Sequence, residues 1–330
     1  MDRNYHVFSD GRIERKDDTV RVVTDDGEKK YVPVENAEAL FLHGQIDFNT
    51  RLMSFLNDQG VAMHVFGWED YYSGSIMPER GQTSGRTVVS QVRAYENENH
   101  RRRLAASIVA GSIHNMRTNA VYYDGRDRDL EAEIADLEAA AARVDDELPV
   151  DELMGVEASA RKAYYRSFNE ILPEEFRLSR REYNPPPNEV NSLISFGNSL
   201  VYANCVSAIR ATALDPTISY LHEPGERRYS LSLDLADLFK PILADRVLFR
   251  LVNRGQIDRD DFETELGSCL LNERGRQTYS KAFEETLERT VEHPELNRKV
   301  SYQYLLRLEA YKLKKHLLTG ESYDSFKRWW

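Results

Sequence analysis

Among the side chains of LHEPGERRYSLSLDLADLFKP, residues 221 to 241, three stand out as possible ligands for a hard or borderline cation: His222, Asp234 and Asp237. His222 sits in a short loop closed by Pro224 and Gly225. Beyond it, Leu231, Leu233, Leu235, Leu238 and Phe239 supply apolar positions around a helix. Asp234 and Asp237 are three apart and share one face of it. A histidine delivered by the preceding loop can therefore meet both carboxylates around one divalent ion. One histidine and two aspartates in so short a span are also common where no ion binds, so the spacing alone leaves both readings open.

Other elements must position such a site. Pro149 opens a helix carrying Glu157 four residues before Arg161, a spacing that reads as a surface ion pair worth a few tenths of a kcal/mol. Next, FRLSRREYNPPPN places Arg177, Arg180 and Arg181 before a stiff three-proline turn, an edge suited to DNA phosphates. The apolar run from Asn191 to Tyr202 reads as a buried helix beneath the site. Past Pro241, Arg246, Arg250 and Arg254 recur every four residues, a basic stripe that is either solvated or faces nucleic acid. Asp245 reads as the partner of an arginine rather than as a ligand.

Three blocks in this order, GVEASARKAYYRSF, PPPNEVNSLISFGNSLVY and LHEPGERRYSLSLDLADLFKP, resemble the CRISPR-associated adaptation integrase, the "Cas one" endonuclease, over nearly the whole chain. The resemblance implies a single-metal catalytic site at Glu157, His222 and Asp237, with Asp234 and Asn191 supporting it. It implies a homodimer formed through a small N-terminal β domain, and a small ferredoxin-like partner, "Cas two", bridging two dimers. The implied reaction is a transesterification, in which the 3′-hydroxyl of a DNA fragment attacks the backbone at a CRISPR repeat boundary; water in its place gives nuclease activity. Two positions depart from the family pattern: Asp237 stands where Glu is frequent, and Asn198 where the SFG run often continues with Tyr. His114 and Asn115 match a polar pair frequent in the family. Carboxylates and an imidazole without thiolates suit Mg²⁺ or Mn²⁺, with the imidazole favouring Mn²⁺.

Composition is compatible with this. The 330 residues are 41% hydrophobic, enough for buried cores, and no segment approaches a membrane span, so the expectation is a cytoplasmic protein with no membrane partner. Cys205 and Cys269 offer neither a disulfide framework nor metal-type spacing. A net charge of −11 looks unfavourable for binding DNA, but twelve acidic residues against three arginines lie between Asp124 and Glu152. The rest of the chain is nearly balanced. Arginine outnumbers lysine about three to one, which suits bidentate phosphate contacts and equally suits an acidic, salt-adapted proteome.

The expected fold is α+β in two domains: a β-sandwich-like domain over residues 1–80 and an all-α catalytic domain over 81–330. Asp10-Gly11 and Asp26-Gly27 read as hairpin turns, and NTRLMSFLNDQG as a helix ending at Gly60. His43 and His64 lie in apolar strands and read as structural or interfacial. PERGQTSGR is a linker, with the boundary near Gly81. One long helix should run from Val88 to Tyr123, with Arg101, Arg102 and Arg103 either solvated or facing phosphates. Leu130, Ile134, Leu137, Ala141, Val144 and Leu148 form a heptad-type stripe on an acidic helix that should avoid DNA. Phe262 to Leu318 reads as helical, and the tail SYDSFKRWW as docked on the helical body. The competing class is a catalytically silent DNA-binding scaffold, whose mark would be a lost ligand; all three positions are filled. An RNA-directed nuclease would differ only in substrate, and no RNA-binding module is apparent.

Overall fold

The computed structural model describes residues 3–67, 71–79, 84–126, 128–182, 185–225, 229–265 and 267–330. The first part comprises β1 (Arg3–Val7), β2 (Gly11–Lys16), β3 (Thr19–Thr24), β4 (Lys29–Pro33), β5 (Ala37–Leu42), β6 (Ile46–Asp47), α1 (Thr50–Gln59), β7 (Ala62–Phe66) and β8 (Tyr72–Ile76). They form two sheets, β1-β5-β7-β8 and β4-β3-β2-β6. The first is parallel across β1, β5 and β7. Such strands are covered on both faces and carry continuous apolar runs. ALFL in β5 is one: Leu40 and Leu42 enter the core shared with the second sheet and α1, whereas Ala39 and Phe41 point into the core of the helical body.

The turn at Asp26-Gly27 closes the β3–β4 hairpin as expected, with Gly27 at φ 87°. Asp10-Gly11 does not make a hairpin. It carries the chain from one sheet to the other, because β1 pairs with β5 and β2 with β3 and β6. α1 buries Leu52, Phe55 and Leu56 and ends at Gly60 in the left-handed conformation. His43 and His64 are buried and held neutral: burial pushes His64 down to about 3 and His43 well below its ordinary value. His64 bonds Ser75 and, across the seam to the helices, Ser207 at 2.7 Å.

The expected boundary near Gly81 lies outside the described residues. Beyond it come α2 (Gly85–Glu96), α3 (Glu98–Asp124), α4 (Glu131–Ala141), α5 (Val150–Ile171), α6 (Glu189–Arg210), α7 (Ser230–Lys240), a π-helical turn Pro241–Asp245, and α8 (Arg246–Asn253). The long helix expected from Val88 is broken at Asn97, which turns extended and caps α3 by accepting the His100 N–H at 3.0 Å. The acidic stripe is also shorter than expected. α4 stops at Ala141 and turns Ala140 rather than Ala141 inward, while Val144 and Leu148 pack from the following loop. Pro149 then starts α5.

The segment expected to be helical from Phe262 contains two hairpins, β9 (Phe262–Glu265) with β10 (Ser268–Leu271), and β11 (Thr290–His293) with β12 (Arg298–Ser301). They flank α9 (Glu273–Leu287) and α10 (Tyr302–Thr319). Turns at positive φ, Gly267 and Asn297, allow the reversals. α6 is long and apolar enough to cross a membrane by length and composition, yet 72% of that window is buried inside the protein as a core helix. The tail docks as expected. Phe326 is buried and stacks on Phe239 at 4.7 Å, and a Cβ at Gly111 would come within 2.3 Å of Ser325 Oγ.

Candidate metal and DNA site

α7 buries both of its aspartates, and they do different things. Asp234 accepts the backbone N–H groups of Tyr220 (2.8 Å), Leu221 (3.1 Å) and His222 (2.9 Å). It also accepts from Nδ1 of His222 at 2.8 Å. One carboxylate therefore fixes both the loop and the imidazole tautomer, leaving Nε2 as the unprotonated nitrogen of the neutral ring. That nitrogen stands 3.9 Å from Asp237 Oδ2. From the other side the loop is tied down by Arg101, which reaches the Tyr220 carbonyl at 3.1 Å and Glu223 at 2.6 Å. Of the arginine triplet in α3, Arg101 is a loop anchor, Arg102 donates to the Glu147 carbonyl, and Arg103 is exposed.

Asp237 is surrounded by cations. Lys240 lies 2.7 Å from its Oδ1 and Arg161 at 3.2 Å. Burial opposes its charge, but Lys240 and Arg161 outweigh this and hold the carboxyl well below the ordinary carboxylate range. Arg161 also donates through Nε to Glu157 at 2.6 Å and through Nη2 to Ser112 at 3.3 Å. The Glu157–Arg161 pair is thus not the surface pair its spacing suggested. It is mostly buried, and Arg161 bridges the helices that carry Glu157 and Asp237.

Arg161 links Glu157 of α5 to Asp237 of α7, and His222 of the 220–225 loop stands 3.9 Å from Asp237. Among the described residues these three do not close into a ready-made ligand cluster, because Arg161 stands between the two carboxylates. The donor set still fits a divalent ion: an ionised carboxylate, an imidazole nitrogen with its lone pair free, and a second carboxylate reached by one shift of the Arg161 guanidinium.

Asn191 goes elsewhere. Its side chain accepts from Arg181 (3.0 Å) and the Glu182 N–H (2.8 Å) and donates to the Arg180 carbonyl (3.0 Å), so it anchors the arginine segment rather than the metal ligands. Arg181 additionally bonds Ser195 at 2.8 Å, while Arg177 and Arg180 are exposed. Arg181 and Lys240 both line a cleft of about 910 Å³, together with Tyr72, Tyr202, Tyr229 and Asn198. Arg246 and Arg250 do not line it. Arg250 donates to the Ala282 carbonyl on α9 at 2.9 Å, and Arg246 covers the ring of Tyr122. Asp245, expected to pair with an arginine, is buried with no ion pair among the described residues, and burial pushes its carboxyl up to about 7.

The residues that sequence reasoning passed over are Lys240 and Arg161 as a bridge; Arg101, expected to be solvated or to face phosphates, instead anchors the loop. The signal for the first two was only spacing, i+3 from Asp237 and i+4 from Glu157.

The profile of the family described as "CRISPR associated protein Cas1" matches residues 5–285. A "CRISPR-associated endonuclease Cas1" of Haloferax volcanii is 57% identical over 327 residues, covering 99% of each chain. The chain belongs to the Cas1 family. Another relative so named, from Thermodesulfovibrio yellowstonii, is 42% identical over 99% of this chain and 100% of its own. Among solved structures, a CAS1 protein from Thermotoga maritima superposes with a TM-score of 0.87 at 36% identity, covering 98% of this chain and 99% of that one. This Cas1-family chain therefore shares the strand-rich N-terminal part and mostly helical C-terminal part of the solved family fold. The relatives matched over nearly the full length of the chain are named CRISPR-associated endonucleases.

Proposed function

We propose that this chain is a metal-dependent DNA endonuclease and integrase that inserts spacers at a CRISPR repeat boundary. The observation that carries it is the pairing of Asp234 with Nδ1 of His222, which leaves Nε2 for coordination 3.9 Å from Asp237. Glu157, His222 and Asp237 would hold Mg²⁺ or Mn²⁺, which when bound polarises a phosphodiester and activates the attacking oxygen. The protein's own groups do the rest. Asp234 keeps the imidazole in one tautomer, while Arg161 and Lys240 place positive charge where a phosphoryl oxygen accumulates negative charge. The cleft from Lys240 to Arg181 supplies tyrosine faces and cations for a DNA strand, the combination that holds unpaired nucleotides.

With the 3′-hydroxyl of a fragment as nucleophile, its oxygen forms a bond to phosphorus as the bond to the leaving 3′-oxygen breaks; water there gives hydrolysis. The two-domain division at residue 80, dimerisation through the β domain, association with a Cas2 partner and a cytoplasmic location belong to the same reading. A chain of this fold occurs in a solved Cas6-RT-Cas1–Cas2 complex.

The test is integration of a labelled fragment into a supercoiled plasmid carrying the repeat, with Mg²⁺, Mn²⁺ or chelator. Products that need a divalent ion and vanish in Asp237→Ala support the reading. Intact DNA binding with no strand transfer under any ion would instead make the chain a silent scaffold.

A further inference from the structure

Where α3 ends, the start of α8 and the last residues of the chain meet around the ring of Tyr122. Arg126 lies over that ring at 3.7 Å and Arg246 at 4.4 Å. Arg328, only 8% exposed, lies within electrostatic reach of Arg246 and Tyr122. Its backbone is fixed, with N–H donated to Asn115 at 2.8 Å and its carbonyl accepting from His114. Its guanidinium is not: Nε and Nη1 are buried with no acceptor, and the head group lies over the Trp330 ring at 5.7 Å. Neither Arg246 nor Arg328 has a carboxylate partner among the described residues, in a chain with 55 acidic ones. Burial first, and Arg246 second, push Arg328 down to about 10.

A buried cation without a counter-charge costs far more than its packing returns, and a second cation beside it adds to that cost. The missing component is an anion. We propose that Arg328 and Arg246, with Arg126 at the rim, form a site for a phosphoryl oxyanion, supplied as free phosphate or carried on a mononucleotide. A phosphoryl group matches in charge and in number of acceptors: a dianion balances two guanidiniums, and its oxygens can take N–H groups from both, where a single carboxylate balances one.

Duplex DNA fits poorly. The adjoining surface carries Asp124, Asp129, Glu131 and Glu138 from the acidic segment, and a polyanion laid across Tyr122 would meet them. The place is also separate from the catalytic ligands. Ser112 of α3 touches Arg161, and Tyr122 is ten residues further along the same helix, about 15 Å away. The inference therefore stands whether or not the catalytic reading does.

The test is thermal melting of the full chain in chelator at constant ionic strength, exchanging chloride for phosphate, with AMP in a parallel arm. The wild type should gain about 2 °C at saturation with phosphate, with AMP, or with both. Arg328→Met should melt above the wild type in chloride, since it removes an uncompensated buried cation, and should lose the response. Arg246→Met should need at least tenfold more ligand. The proposal fails if chloride, phosphate and AMP act alike on the wild type, or if Arg328→Met keeps the response. It fails also if Arg328→Met melts lower in every buffer, which would make Arg328 a structural pin, or if it weakens duplex DNA binding, which would assign the patch to the DNA path.

Discussion

The carboxylate of Asp234 accepts four hydrogen bonds from the 220–222 loop, and one of them, at 2.8 Å, comes from Nδ1 of His222. The histidine's tautomer thus depends on a single buried acceptor, which also organises one side of the loop.

Asp234→Asn should therefore remain folded but lose about 1–3 kcal/mol, because the amide that replaces one oxygen faces donors on either side. The rotated amide also competes for His222, so strand transfer should fall about ten- to a hundred-fold and recover partly at high Mn²⁺. Integration assays across a Mn²⁺ titration, read beside thermal melting, check both. Wild-type activity at low metal would show that the tautomer is set by something else.

Asp237→Ala and His222→Ala should abolish strand transfer at every metal concentration, since no neighbouring group can take either place. Asp237→Ala also releases Arg161 and Lys240 from a shared counter-charge. DNA binding in that variant should be unchanged or slightly tighter, measured by filter binding. Near-normal strand transfer by either folded variant would refute the site assignment.

The sequence carried the placement of His222 against Asp234 and Asp237 well, because its information is local: a loop histidine, two aspartates three apart, and leucines that bury one helical face. It carried less where an outcome depends on distant partners. The resemblance made Asn191 a support for the metal site, yet its amide is claimed by Arg180, Arg181 and Glu182, which lie on the far side of a three-proline turn the sequence could not orient. Asp10-Gly11 has hairpin composition, but the partner of β1 lies thirty-odd residues on, in β5. The hairpins around α9 were missed for the opposite reason. All four strands are only four residues long; β11 and β12 are mostly polar or charged and largely exposed, and β10, SCLL, is a buried run too short to tell from helix by pattern.

Arg177 and Arg180 should contribute to DNA binding through phosphates. Both side chains are exposed and, among the described residues, donate no hydrogen bond, Arg180 having only Glu182 at 4.0 Å, whereas the Arg181 side chain is tied to Asn191 and Ser195. The double change Arg177→Ala/Arg180→Ala should weaken binding to all sequences alike and lower the slope of log K against log salt by about 1–2, leaving stability untouched. Arg181→Ala should instead lower the melting temperature as well. A loss confined to one DNA sequence would contradict phosphate contact.

Asp245 gives the clearest pH signature. It is buried in the π-helical turn, where burial raises its carboxyl to about 7 while Arg161, the Tyr164 hydroxyl, Lys240 and Arg181 pull the other way without prevailing. The folded value lies above the unfolded one, near 3.9. Below pH 4 the group is protonated in both states and its contribution is fully present. Between pH 4 and 7 the unfolded chain ionises while the folded chain does not, so stability falls as pH rises, and above 7 the loss is complete at roughly 2–4 kcal/mol. Asp245→Asn keeps the shape and cannot ionise. Its melting temperature should therefore match the wild type near pH 4 and exceed it progressively up to pH 7, after which the gap stays constant. Denaturant midpoints for the two proteins at half-unit pH steps test this. Parallel curves across the range would mean that Asp245 is already ionised in the fold, balanced by Arg161 and Lys240.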